Sequence, residues 1–293
     1  MQMKPTPDLH SHSTASDGTL SPTALVQRAA SAGVELLALT DHDTTDGLSE
    51  ASLAANRMGI HLIPGVEISV TWGNRTIHVV GLNLDATDGV LQEGLGRLME
   101  FRAWRAEEIG RRLAKRGIEG AYEGAKALSN GKLIGRTHFA RFLVSRGLAA
   151  DTGEVFKRFL ISGKPGHVSG HWATLEEAVT WIRGAGGQAV IAHPARYKQT
   201  RTRMQALLGE FRELGGVGVE VVSGSHSRDD AFTFARHARE QHLMASAGSD
   251  YHGPENPSVE LGRLARLPDG CLPIWHDWPE MAAPVPELRA AAG

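Results

Sequence analysis

Two histidines one residue apart, His10 and His12, lie in the stretch Asp8-Leu9-His10-Ser11-His12-Ser13-Thr14-Ala15-Ser16-Asp17-Gly18. On an extended segment, side chains two residues apart share a face, so both imidazoles point the same way. Asp17 follows on a turn-forming run of Ser and Gly that can fold back toward them. Nitrogen and carboxylate donors meeting at one point suit Mn, Zn or Fe. Matching fragments recur along the chain: Asp41-His42-Asp43, Glu67, His78, His193 and Asp250-Tyr251-His252. Any one of them, taken alone, is more often a satisfied core or surface residue than a ligand.

The elements that carry these fragments decide the matter. Val34 to Thr40 is nearly all apolar, as in a strand buried on both faces of a parallel sheet, and it runs directly into Asp41-His42. Ser21-Pro22 reads as a helix N-cap followed by an N1 proline, with Gly33 closing that helix. A second helix is expected from about Thr45 to Met58, with Gly59 as its stop. A strand then runs from Ile60 through Glu67 to Ser69. Gly73-Asn74 marks a tight turn, and Ile77 to Leu82, containing His78, returns as its partner. Strand–helix alternation resumes after Thr174. Gln188 to Ala192 ends in His193-Pro194, Val217 to Val222 leads to Ser223, and Leu243 to Ala247 ends in Gly248-Ser249-Asp250. Alternation of this kind implies a parallel sheet, closed or doubly wound, with active residues at the carboxyl ends of strands.

Between these halves the pattern changes. From about Asp88 to Val168 the chain reads as helical and Arg-rich, without strands. Leu91, Leu95, Leu98, Ile109 and Leu113 form one apolar stripe, and Arg102 and Arg105 fall on it, which suggests an inward-facing polar pocket. Past Pro268, a Pro- and Ala-rich tail with Trp275 and Trp278 reads as a packing arm that fades to disorder.

Composition bounds the function. With 293 residues, 41% hydrophobic and 22% charged, the chain reads as an ordinary soluble globular protein, large enough for one α/β barrel or two smaller domains. A formal net charge of −2 argues against an overall grip on long duplex nucleic acid, though not against a local basic pocket. The single cysteine, Cys271, leaves no intramolecular disulfide framework and fits a reducing cytosol. No run is long enough to span a bilayer and the N-terminus has no apolar leader core, so a cytoplasmic protein without membrane partners is expected.

Six histidines and three carboxylates at successive strand ends are too many ligands for one ion. They suit two or three ions sharing a bridging carboxylate. DLHSHSTASDG, LTDHDT, GVEIS with IHVVGL, AHP and GSDYHG resemble, in order, the motifs of the PHP (polymerase and histidinol phosphatase) family of phosphoesterases. The resemblance implies an α/β fold, a distorted (β/α)7 TIM-like barrel with an inserted helical lid. Its parts would be a discontinuous barrel (1–87 and 174–270), the insert (88–173) and a C-terminal arm (271–293). It implies one metal on His10, His12, Glu67 and Asp250, a second on Glu67, His78 and His193, and a third on Asp17, His42 and His252. Two or three divalent ions are expected, Mn first, with Zn or Fe as alternatives. Asp41 is expected to orient an imidazole, and neither Glu220 nor His226 is expected to be a ligand.

Phe101-Arg102, Gly135-Arg136-Thr137-His138-Phe139 and Ser162-Gly163-Lys164-Pro165-Gly166 resemble insert motifs of the family branch that contains 3′,5′-nucleotide bisphosphate phosphatases and an exoribonuclease acting on short RNA. That likeness implies hydrolysis of the 3′-phosphate of a nucleoside 3′,5′-bisphosphate. Glu67, Asp250 and His252 would act through a metal-activated hydroxide, and Arg102, Arg105, Arg136, His138 and Lys164 would bind substrate. The alternatives are 5′-3′ exoribonuclease action on short RNA, histidinol-phosphate phosphatase action, and a non-catalytic module stabilised by metal. The expected partner is a small nucleotide, or a short RNA under the second reading.

Overall fold

In a computed structural model, residues 6–129, 133–170 and 172–279 are described. Seven strands follow in chain order around one sheet: β1 (Pro7–Asp8), β2 (Leu36–Leu39), β3 (His61–Trp72), β4 (Arg75–Leu82), β5 (Gln188–Ile191), β6 (Gly218–Ser223) and β7 (Met244–Gly248). The last strand returns to the first. Leu9 N–H donates to Ala247 O, and Ser11 bridges Tyr251 in parallel, so the sheet nearly closes into a barrel. The apolar strand stretches are buried as their composition demands: every residue of β2 and β6 is inaccessible.

The distortion of the barrel has a specific location. β3 pairs antiparallel with β4, and β4 antiparallel with β5, while all other neighbours are parallel. Gly73 and Asn74, both left-handed at φ +52° and +64°, make the tight turn between β3 and β4, so no helix separates them. A long hairpin thus takes the place of one strand–helix unit.

Outside the sheet pack α1 (Pro22–Ser31), α2 (Leu48–Met58), α7 (Leu175–Gly184), α8 (Arg201–Glu213) and α9 (Arg228–Glu240). Their ends follow local rules. Ser21 accepts from Ala24 N–H with Pro22 at the first turn, Gly59 ends α2 in the left-handed region, and Thr174 with Glu177 forms a capping box. α2 starts at Leu48, three residues later than its sequence pattern suggests. The His193 strand end continues into a short 3₁₀ turn, Pro194–Tyr197, which the sequence reading did not anticipate.

The insert is helical: α3 (Gly89–Ala114, N-capped by Asp88), α4 (Ala121–Ala127), α5 (Arg136–Ser145) and α6 (Thr152–Val155), which runs on into a π turn at Phe156–Leu160. These helices share their own apolar cluster, including Ile109, Leu113, Phe139, Leu143 and Leu160, separate from the barrel clusters. The C-terminal arm packs on the barrel. Pro273 bridges Ala245, Ile274 and Trp278 are buried, and Trp278 Nε1 donates to Gln188 Oε1 at 2.7 Å. The expectation that the arm then fades to disorder falls on residues 280–293, outside the described residues. Among the described residues, no helix is long and apolar enough to cross a membrane.

Candidate metal centre and its arginine wall

The strand ends converge as their sequence spacing implies. His10 and His12 lie just past β1 on extended chain, Asp41-His42 just past β2, Glu67 within β3, His78 within β4, His193 two residues past β5, and Asp250 and His252 just past β7. Close approach at the barrel seam requires glycine at 248, because a Cβ there would meet the backbone and Cβ of His10 within 3.0 Å. Three of the site residues, Asp43, His193 and Asp250, are non-glycine residues with positive φ (+51°, +25° and +58°). Backbone strain of this kind persists where the surrounding structure enforces it, often at functional sites.

The side chains form three overlapping groups: His10, His12, Glu67 and Asp250; His12, Asp17, His42 and His252; and His42, Glu67 and His78. His193 joins the last through Nε2, 2.8 Å from Glu67 Oε1 and 3.3 Å from His78 Nδ1. All nine residues read as ligands therefore meet. The sharing is wider than the resemblance implies, since His12 and His42 each belong to two groups.

Several contacts fit cations better than hydrogen bonds. His10 Nε2 and His12 Nε2 face each other at 3.1 Å in a fully buried pocket. Glu67 Oε2 lies 2.8 Å from His42 Nδ1 without hydrogen-bonding alignment, and Asp17 Oδ1 and His193 Nδ1 are buried without hydrogen-bond partners. Buried lone pairs left unmatched are costly, and a shared divalent cation satisfies several at once. The donor set, imidazole with carboxylate, suits Mn, Zn or Fe.

The electrostatics agree. Burial pushes Glu67 upward, but the imidazoles of His42, His78 and His10 outweigh it and hold the carboxyl well below its usual range. Asp17 is likewise held down against burial by His252 and His42. Burial, assisted by His252, lowers His12 to about 3, and burial lowers His78 to about 4. These two imidazoles are neutral donors at physiological pH. Burial also opposes the charge on His252, but Asp17 and Asp250 raise it to about 9.

Around this cluster lie Glu220, which the sequence reading expected not to be a ligand, and two residues to which it gave no role, Arg196 and Asp43. Glu220, inside β6, accepts from the His193 N–H and contacts His10 Nδ1, both at 2.5 Å. Arg196, in the 3₁₀ turn, reaches Asp250 Oδ2 at 2.7 Å. Asp43 accepts from Ser69 N–H (2.7 Å) and from Arg102 Nε (2.6 Å). A lone charge inside an apolar strand, as in VGVEVV, marks Glu220 as a residue that needs a buried partner. Asp41 departs from its expected role. Its carboxylate takes Ser13 N–H, Ser13 Oγ and Ser16 Oγ, and only Ser16, 3.5 Å from His12 Nδ1, connects it to an imidazole. His226 stays away from the cluster, bound to Val221 O and stacked on Phe234.

The insert presents an arginine wall to the same mouth. Arg102 and Arg105 are 8% and 7% exposed, and both guanidinium groups lie over Trp172, at 5.0 and 5.2 Å from its ring centre. Arg102 also donates from Nη2 to Ser69 Oγ at 2.9 Å. Arg105 gives its Nε to Val168 O (3.2 Å), and Arg136 lies over Phe156. Among the described residues, neither Arg105 nor Arg136 forms an ion pair with a carboxylate. Burial, then Arg136 and Arg102, lowers Arg105 to about 9; burial and Arg102 lower Arg136. His138 is buried, accepts from Gly135 N–H through Nδ1 (3.0 Å), and burial lowers it to about 4. Thr137 and Arg141 tie α5 to Asp17 through its Oδ2 and main-chain O, each at 2.8 Å. The structure does not bring Lys164 into this group. It is exposed, and its charge is not among those acting on Arg105, Arg136 or His167.

An α/β barrel with a multi-histidine, carboxylate-bridged pocket at its strand ends defines a metal-dependent phosphoesterase of the amidohydrolase-like kind. Residues 8–188 match the family model described as PHP domain, and the chain belongs to that family. It is 50% identical over 271 residues to a 3′,5′-nucleoside bisphosphate phosphatase of Chromobacterium violaceum, covering 92% of this chain and 95% of that one. It is 46% identical over 273 residues to the 5′-3′ exoribonuclease Rnm of Escherichia coli, covering 92% and 93%. A solved structure of an amidohydrolase from Chromobacterium violaceum, with bound sulfate and no metal, superposes with a TM-score of 0.90 at 49% identity, covering 94% of this chain and 96% of that one.

Proposed function

We propose that this protein removes the 3′-phosphate of nucleoside 3′,5′-bisphosphates, leaving 5′-mononucleotides, and that it works in the cytoplasm. The observation that carries the reading is the pairing of a cation-seeking pocket with an anion-seeking wall. A pocket of unmatched lone pairs suited to cations adjoins a wall of three arginines with one carboxylate, Asp43, among them. A substrate with two phosphates uses both.

In this reading His10, His12, Glu67 and Asp250 would hold one ion, Glu67, His78 and His193 a second, and Asp17, His42 and His252 a third, with Mn the first choice. When bound, the ions acidify the attacking water and neutralise charge on the phosphoryl oxygens. Glu67 would serve more than one subsite, with Oε1 on the side of His78 and His193 and Oε2 on the side of His10, His12 and His42. Neutral His12 and His78 keep lone pairs available at physiological pH. Arg102, Arg105 and Arg136 hold the 5′-phosphate through charge-assisted contacts and orient the ester toward the cluster. Asp43 fixes Arg102 by its Nε edge, leaving Nη1 for the ligand. His138 keeps α5 in place by accepting Gly135 N–H. Lys164, exposed on its turn, would reach only a ligand extending out of the pocket.

A second reading, attack on the terminal nucleotide of a short RNA, is favoured by the relatedness to the exoribonuclease. Phosphate release from a panel of 3′,5′-bisphosphates, 3′-monophosphates, histidinol phosphate and 5′-phosphorylated dinucleotides, with Mn and after chelation, tests both. The bisphosphates should be preferred. Preference for the dinucleotide supports the second reading, and turnover that survives chelation overturns both.

A further inference from the structure

β6 carries one charged residue, Glu220, on a strand whose every residue is buried. The strand pairing slips between Glu220 and Val222, a bulge that re-aims the side chain beside it. The two carboxylate oxygens are used separately. Oε1 lies 2.5 Å from His10 Nδ1, and Oε2 accepts the His193 N–H at 2.5 Å. A carboxylate only accepts, so the proton of this contact belongs on His10 Nδ1. In the neutral ring that a cation would bind, Nε2 is then the free nitrogen, and it lies 3.1 Å from His12 Nε2, 3.4 Å from Glu67 Oε2 and 3.5 Å from Asp250 Oδ1. The other oxygen holds the main chain of a residue in a sparsely populated conformation (φ +25°, ψ 56°), whose own ring reaches Glu67 Oε1 at 2.8 Å.

We propose that Glu220 is the positioning residue that couples two metal subsites. It fixes the His10 tautomer with Nε2 free for one ion, and it holds the strained turn that aims His193 at the next. The inference rests on the metal reading of the site. A carboxylate behind a metal-bound imidazole orients the ring and raises its basicity, and loss of such a partner costs roughly 10–100-fold in metal affinity.

Glu220→Gln separates this role from packing. The amide has nearly the same shape but one donor end. It satisfies either His10 Nδ1–H or His193 N–H as an acceptor and opposes the other, or it drives the His10 proton onto Nε2. Calorimetric titration of metal-free protein with Zn²⁺, alongside metal counting, should show at least one site weakened tenfold or more. In ¹⁵N-histidine spectra of the Zn²⁺-loaded wild type, the His10 proton should sit on Nδ1. Equal Zn²⁺ affinities and stoichiometry in the two proteins would overturn the proposal. So would a wild-type His10 protonated on Nε2, a result that needs no variant to fold. A wild type that binds no Zn²⁺ would instead overturn the metal reading beneath it.

Discussion

The barrel mouth and the inner face of the insert are both buried and both ionisable, yet they handle charge in opposite ways. At the mouth, acids and imidazoles alternate: Glu67 lies within 3.4 Å of five histidines, and Asp17 and Asp250 share His12 and His252. Protons alone can settle that cluster, but they leave facing nitrogens and orphan oxygens, so it waits for cations. On the insert, Arg102, Arg105 and Arg136 repel one another and cannot shed charge the way imidazoles do. Of the three, Asp43 pairs with Arg102 alone, and an incoming anion would relieve the other two. A site built from both kinds of mismatch is completed by its ions and its substrate together.

That contrast breaks most decisively at Glu67. Glu67→Gln removes the oxygen shared between groups, and phosphate release should fall by about 10³-fold or more. Chelation should do the same in the wild type and Mn should restore it. Milder loss, with metal content unchanged, would mean the cluster is not the reacting centre.

The next largest effect concerns the imidazole on the arginine side. His138 has its folded value lowered from 6.5 to about 4, so the unfolded chain binds the extra proton first as pH falls. Stability from this residue is complete above pH 6.5 and is lost between pH 6.5 and 4, by on the order of 3 kcal/mol in all. His138→Gln should flatten that limb of the thermal stability profile in metal-free protein. An unchanged limb would place the acid sensitivity in the metal cluster instead.

Arg136→Ala should lower kcat/KM for a 3′,5′-bisphosphate by about tenfold or more, a charge-assisted contact being worth roughly 1.5–3 kcal/mol, and should spare a 3′-monophosphate. Arg102→Ala should act in the same direction, with an added penalty from leaving Asp43 buried and unpaired. Equal losses on both substrates would place these arginines at the scissile phosphate or in the fold.

The smallest effect sharpens the charge argument. Millimolar sulfate should raise the melting temperature of metal-free wild type by a few degrees, as expected for about 1 kcal/mol of linked binding. Arg105→Met should itself melt higher than wild type and gain less from sulfate. If sulfate stabilises both equally, Arg105 is not part of the anion pocket.

These two regions also differ in how far the sequence reveals them. Strand-end ligands were legible because each interrupts an apolar run where a core residue belongs. His78 stood out less, since it sits within a returning strand, a histidine in an apolar run like the others. The hairpin turn announced β3 pairing with β4. The antiparallel match of β4 to β5 could not be read, because the insert and α7 lie between them. Glu220, Asp43 and Arg196 draw their roles from partners up to 210 residues away, and composition carries no trace of such pairings. Arg102 and Arg105 showed on a helical stripe, whereas Lys164 came from a glycine-bounded motif that says nothing about exposure.

Barrel closure between β1 and β7 has a consequence in time. His10 and His12 are made about 240 residues before Asp250 and His252, which complete their groups. At synthesis rates of about 5–20 residues per second, the early histidines wait roughly ten to fifty seconds for their partners. During that interval the two groups that include Asp250 or His252 lack donors, whereas His42, Glu67 and His78 are already made. The two groups that need Asp250 or His252 are therefore completed only once β7 and the residues just past it have been made.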